Sequence, residues 1–332
     1  MPAARRLGAA ARRTRRALLG SAAALLCSVA DAGGAADPPS WPYPVPAAAR
    51  AQQPDDGSVL HVPDSSVGYT RTQIDRLDQA VDWHPEDHPP LPEVVARGRA
   101  PEVAACGSCH RADGAGAPEN ARLAGLPFGY LLQQLADFKS GARRTAVPAR
   151  LPQAYMAAVA RALPDDDARV AAAYFAALKP RRTIRVIETD TVPRSIVAGW
   201  MLAPAPGGGS EAIGQRIVEL PDDADDAARR DGRARYTAYA PPGSLARGAA
   251  LAAGAVPGKA PACAGCHGAG LRGQGNIPGL AGRSPSYLAR QLYDIQAGAR
   301  AGQAVQVMRG VAARLYERDI IAVAAYLASL EP

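Results

Sequence analysis

Two copies of one pentapeptide carry the chain's most reactive side chains: Cys106-Gly-Ser-Cys109-His110 and Cys263-Ala-Gly-Cys266-His267. Two thiols three positions apart on a helical turn can each add to one vinyl group of a haem. The histidine that follows then projects its imidazole at the iron from the same side, which makes Cys-x-x-Cys-His the attachment signature for haem c. Two rival chemistries fit less well. A redox dithiol would not need the histidine twice. A zinc site would need all four cysteines to converge, yet the pairs lie 157 positions apart in two self-sufficient repeats. The fifth cysteine, Cys27, lies in the leading segment, so no other cysteine is left over.

The elements that must position these groups also occur twice. The copies align without a gap from Cys106 and Cys263 through Leu123-Ala-Gly125 and Leu280-Ala-Gly282. The match continues through Tyr130, Gln134, Asp137 and Arg143, whose partners are Tyr287, Gln291, Asp294 and Arg300. Leu131, Leu135 and Phe138 recur at helical spacing, so each copy carries an amphipathic helix ended by Gly141 or Gly298. After a difference of five residues the copies re-align at Met156 and Met308. Acidic residues then mark the start of a C-terminal helix in each. A short helix is expected before each motif, over Pro92 to Arg99 and over Leu245 to Ala253 with Ser244 as its cap. Each unit therefore reads as helix, haem motif, loop, helix, Met-bearing loop, helix.

On these residues the sequence resembles class I cytochrome c domains, in particular the dihaem cytochromes of the cytochrome c4-like group. The resemblance covers about 93–180 and 244–332. It implies a fold of three to five helices around each haem, with His110 and His267 as proximal iron ligands and Met156 and Met308 as distal ones. A thioether opposite an imidazole raises the reduction potential and leaves no open iron position, which suits outer-sphere electron transfer. The third methionine of the mature chain, Met201, has no repeat partner and is expected to pack. One departure stands out. Pro278 matches the family's proline whose carbonyl orients the proximal histidine, whereas the aligned residue in the first unit is Ala121. Tyr130, Tyr287, Arg143 and Arg300 either lie near the haem propionates or serve as packing and solvated helix ends.

Outside the repeats the pattern changes. Residues 1–32 read as an export signal: six arginines, an uncharged apolar stretch from Ala17 to about Ala30, and a small-residue site at Ala30-Asp31-Ala32 or Ser28-Val29-Ala30. Covalent haem attachment favours Sec over twin-arginine export, since the chain must cross unfolded. Without this segment 32 basic residues face 30 acidic ones, so the formal charge of +7 signals neither nucleic acid nor membrane. No later stretch holds 18 uncharged apolar residues, so no transmembrane segment is expected in the mature chain. Residues 33–92 are proline-rich and read as an extended arm packed over the first domain, with Trp83 as a candidate anchor; His84 and His88 lie among prolines that disfavour a helical metal site. Residues 181–243 hold strand-like runs at Thr183–Thr189, Ser195–Leu202, Gln215–Leu220 and Arg235–Tyr239.

The expected fold class is all-α: two tandem cytochrome c domains with a small β insert between them. The expected order is a signal peptide over 1–32, a Pro-rich N-terminal arm over 33–92, domain 1 over 93–180, a β-rich insert over 181–243 and domain 2 over 244–332. The expected function is a periplasmic carrier of single electrons, not an enzyme, with two covalently bound haem c groups. Its partners would be a redox donor and acceptor, such as a dehydrogenase, an oxidase or another cytochrome. The rivals are a cytochrome subunit of a periplasmic dehydrogenase complex and a dihaem peroxidase, which would need an open iron position.

Overall fold

The structure is a computed structural model that describes residues 37–47 and 55–332. The expected signal peptide lies outside the described residues. Among them no helix is long and apolar enough to cross a membrane.

The first repeat folds as helices Glu93–Ala96, Cys106–His110, Phe128–Ser140, Pro152–Ala162 and Asp165–Ala177. The short helix before the motif stops well before Arg99, because Gly98 turns the chain left-handed at φ 61° and Arg99 bridges back to Val103. Val94, Val95, Leu131, Leu163, Ala172 and Phe175 bury together in one core. Each large apolar side chain so buried stabilises by roughly 1.5–3 kcal/mol. Gly141 ends the long helix in the left-handed conformation, at φ 77°, as its spacing predicts.

The second repeat folds as helices Ser244–Ala252, Ala264–His267, Pro285–Gln296, Gln306–Ala312 and Glu317–Ser329. Ser244 does not cap the first of these. It is the first helical residue and its hydroxyl donates to the Pro241 carbonyl at 2.6 Å, while the free Leu245 N–H finds the Glu188 carboxylate at 2.7 Å. A carboxylate reaching in from a distant strand satisfies a helix end as a local serine would. Gly248 lets this helix lie against the terminal one, since a Cβ there would overlap the Ala322 carbonyl.

The all-α expectation holds only in part. Residues 181–243 form seven strands, β1 Ile184–Glu188, β2 Thr191–Pro193, β3 Ser195–Ala198, β4 Met201–Pro204, β5 Ser210–Ala212, β6 Val218–Pro221 and β7 Tyr236–Ala240. The run Ser195–Leu202 is not one strand but a hairpin, β3 and β4, that reverses at Gly199, φ 62°. β7 is central in a three-stranded sheet, parallel to β1 and antiparallel to β6. Its residues Tyr236, Ala238 and Ala240 share one hydrophobic core with Ile320, Ala324 and Leu327 of the terminal helix. The insert is therefore not a spacer between two bodies; its sheet is built into the core of the second repeat.

The arm ties the molecule together. Val62, Ile74, Val81 and Trp83 form a small core of their own, and the Trp83 indole donates to the Arg229 carbonyl at 2.9 Å. Tyr43 enters the core of the second repeat and its hydroxyl donates to Asp294 at 2.9 Å. His84 faces Asp231 at 3.1 Å and His88 faces Asp82 at 3.0 Å, so both have carboxylate neighbours.

The two repeats meet through a pseudo-twofold lattice. The Arg144 N–H donates to the Ala299 carbonyl at 2.8 Å and the Ala301 N–H to the Ala142 carbonyl at 2.7 Å, an antiparallel bridge centred on Arg143 and Arg300. Arg143 reaches across to the Tyr287 hydroxyl at 3.1 Å and to Gln291 at 3.0 Å. Arg300 answers with the Tyr130 hydroxyl at 3.0 Å and Gln134 at 2.9 Å. Tyr130, Gln134 and Arg143 thus bond across to the second repeat as Tyr287, Gln291 and Arg300 bond across to the first, and each arginine also bonds the glutamine of its own repeat.

Asp319 is the most deeply buried acid of the second repeat, with none of its surface exposed. It accepts from Arg247 Nε at 2.8 Å and from the Tyr316 N–H at 3.1 Å, and pairs with Lys259 at 2.7 Å. Burial raises its pKa, but the bonds from Lys259 and Arg247 outweigh burial and hold it below the usual carboxylate range. A depressed folded value means that this stability is present above the unfolded pKa near 4 and is lost as pH falls through the folded value. Asp319→Ala is expected to cost about 3 kcal/mol, because it strands two cations against a buried gap. Chemical denaturation at neutral pH checks this, and the difference from wild type should shrink on acidification.

Candidate functional site

Each Cys-x-x-Cys-His motif is a single helical turn that breaks immediately after its histidine. Arg111 follows His110 with φ 69°, and Gly268 follows His267 with φ 76°. The break frees the imidazole from the helix and sends it under the following loop. There His110 Nδ1 bonds the Ala121 carbonyl at 2.8 Å, and His267 Nδ1 bonds the Pro278 carbonyl at 2.8 Å. These acceptors are equivalent in the repeat. The first unit therefore lacks the proline but keeps its carbonyl, because the acceptor is a backbone atom that any residue supplies. With Nδ1 holding the proton, Nε2 keeps its lone pair for a metal. Burial, the largest influence on both rings, pushes their pKa values down and keeps them neutral, the state a ligand needs. Phe175 packs edge-on to the His110 ring, with centroids 6.4 Å apart.

No disulfide joins the four motif cysteines, of which three are half-buried and Cys266 is exposed. Among the described residues no three His, Cys, Asp or Glu side chains gather into a metal-holding cluster. Met156 and Met308 were expected on loops. Each lies instead on a helix, Pro152–Ala162 and Gln306–Ala312, and each is half-buried. Pro152 pre-sets the first helical φ in one case and the single turn Gln303–Val305 leads in the other. Met308 rests on Ile295, Val305 and Ala312. Met201 packs against the main core of the second repeat, as its lack of a repeat partner predicts.

The donor set fits haem c, and an independent feature supports the fit. Arg122, Arg150, Arg283, Arg290 and Arg300 are buried, yet none has a carboxylate within ion-pair distance among the described residues. They spend their N–H groups on carbonyls and side-chain amides. Arg122, for example, donates to the Gly282 and Ala281 carbonyls at 2.8 Å each. The Nε atoms of Arg122, Arg150 and Arg300 have no partner. Burial, followed by the neighbouring Arg283, pushes the Arg122 pKa down to about 9. Buried cations without counter-charges are costly. The carboxylates of a haem would relieve that cost. The recurring Arg143 and Arg300 were a sequence signal for this region; Arg122, Arg283 and Arg290 were not, because nothing in a single chain distinguishes a buried arginine from a solvated one.

The cytochrome c family model matches residues 95–179 and 245–331, leaving the arm and the strand-rich segment outside it. The thiosulfate dehydrogenase electron acceptor of Thiomonas intermedia is 32% identical over 69% of this chain and 80% of its own length. Cytochrome c4 of Pseudomonas aeruginosa is 30% identical over 71% of this chain and 88% of its own length. A crystal structure of reduced cytochrome c4 from Pseudomonas stutzeri is 28% identical over 68% of this chain and 93% of that one, with a TM-score of 0.45. The chain belongs to the cytochrome c family. Within it, the chain is a dihaem electron-transfer cytochrome of the c4-like group and carries covalently bound haem c.

Proposed function

We propose that the chain is a periplasmic carrier of single electrons, with one haem c in each of the units 93–180 and 244–332. Cys106 and Cys109 hold the first haem by thioether bonds, and Cys263 and Cys266 hold the second. His110 and Met156 clamp the first iron; His267 and Met308 clamp the second. The haem supplies an iron that gains and loses one electron. The protein's own residues do the rest. The Ala121 and Pro278 carbonyls fix the tautomer and orientation of each imidazole. The methionine thioethers fill the remaining iron position and exclude substrate chemistry. The buried arginines offset propionate charge. The observation that carries this reading is the same imidazole–carbonyl bond, at the same distance and the same sequence offset, in both units.

The Arg-rich, then apolar, leading segment supports an exported location. A dehydrogenase is the favoured donor, since one relative is named as the electron acceptor of such an enzyme. The test is spectroscopic. The purified protein is expected to contain two haems per chain, resistant to acid–acetone extraction, both low-spin and both showing the methionine–iron charge-transfer band. A colourless chain, or one high-spin haem that turns over peroxide, overturns the proposal.

A further inference from the structure

The two motifs are alike in sequence but not in what lies over them. Each cysteine sulfur joins the rim of the macrocycle, so each pentapeptide lies along a haem edge. In the first unit that edge is roofed. The Ala105 N–H donates to the Leu77 carbonyl of the arm at 2.8 Å. Ala80 of the arm sits over Gly107, where an added Cβ would fall 2.8 Å from the Ala80 methyl. From the insert, Arg230 donates to the Ser108 carbonyl and to the Arg76 carbonyl, each at 3.3 Å, stitching insert, motif and arm together. Ser108 is left 1% exposed.

This roof is held by charge. Asp87 of the arm takes Arg181 at 2.5 Å and Arg233 at 2.8 Å, and Arg181 also takes Asp113, three residues past His110, at 2.5 Å. Hydrogen bonds from Arg233 and Arg181 hold the Asp87 carboxyl well below the usual range. Among the described residues nothing comparable covers the second motif. Ala264, Gly265 and Cys266 are all exposed, and a Cβ on Gly265 would meet nothing within 4 Å.

We propose that protein partners exchange electrons with this cytochrome only at the second haem edge, and that the arm and insert close the first, which fills and empties through the second. This rests on the haem reading above. Each step moves one electron: a reduced partner is oxidised by one unit, one iron goes from ferric to ferrous, and no bond forms or breaks. Tunnelling falls steeply with separation, so a partner held off by a layer of polypeptide loses to one that touches the rim. The first site then serves as an internal store that lets the carrier hold two electrons behind one port.

The test uses the full-length holoprotein. A soluble gadolinium chelate is expected to erase the haem-methyl NMR signals of the second haem while those of the first survive; equal loss of both overturns the proposal. Gln274→Trp, at an exposed position outside the pentapeptide whose side chain reaches the Gly265 carbonyl at 3.5 Å, is expected to slow reduction of both haems by a reduced monohaem cytochrome about tenfold, with both potentials unmoved. Wild-type reduction of the first haem in that variant overturns it. A colourless protein would instead sink the haem reading itself, so the two failures are distinguishable.

Discussion

Met156→Ala is expected to lower the potential of the first haem by a few tenths of a volt, out of the roughly 0.8 V that axial ligands span, while the second haem keeps its own. The thioether favours the reduced iron, and losing it leaves water or a foreign ligand in its place. Met308→Ala is expected to do the same at the second haem only. The two variants differ in a second respect. Met308 rests on Ile295, Val305 and Ala312, so its truncation also opens a cavity. That is expected to cost about 2–3 kcal/mol of stability. A spectroelectrochemical titration of both variants checks the assignment. An unchanged potential in either would reduce that methionine to a packing residue.

The other large effect concerns attachment. Cys263→Ala combined with Cys266→Ala is expected to yield a chain with one covalent haem in place of two, and about half the haem absorbance per protein. The damage should spread well beyond the motif. The core of the second repeat also buries Tyr43 of the arm, Ile184 of β1 and Tyr236 of β7. Losing the group that the second repeat folds around should therefore loosen arm and sheet together. The matching pair Cys106→Ala and Cys109→Ala should leave that core ordered, because the first repeat keeps a separate one around Leu131 and Phe175. Hydrogen exchange at β1 and β7 separates the cases: protection lost in the first double variant and kept in the second.

The contrast between the two variants also shows how far the sequence reaches. The two motifs, the long helices, the ends at Gly141 and Gly298 and the family itself are local or repeated features, and a single chain displays them. Spacing of two, three or four residues is enough to state which atoms can meet on one turn. The proximal acceptor was half legible: Pro278 announces itself, Ala121 does not, although the same backbone oxygen does the work at both. The Met-bearing segments were placed by repeat alignment, but their helical state depended on packing that alignment does not contain.

By itself, the sequence placed the chain among dihaem cytochromes and singled out the cysteines and histidines proposed to hold the haems, because covalent attachment and ligation depend on residue type at short range. Only the tertiary structure decided what each recurring residue faces. In sequence Arg143 and Arg300 read either as neighbours of the haem propionates or as helix ends; in the structure each reaches a tyrosine of the other repeat. The strand-rich stretch reads in sequence as a β insert between the domains, and in the structure it is part of a core, because β7 lies beside a helix some eighty residues later in the chain. Most of all, near-identical pentapeptides came to differ in access, Ser108 covered and Gly265 bare. Burial is a property of what the rest of the chain lays over a residue, and no local pattern encodes it.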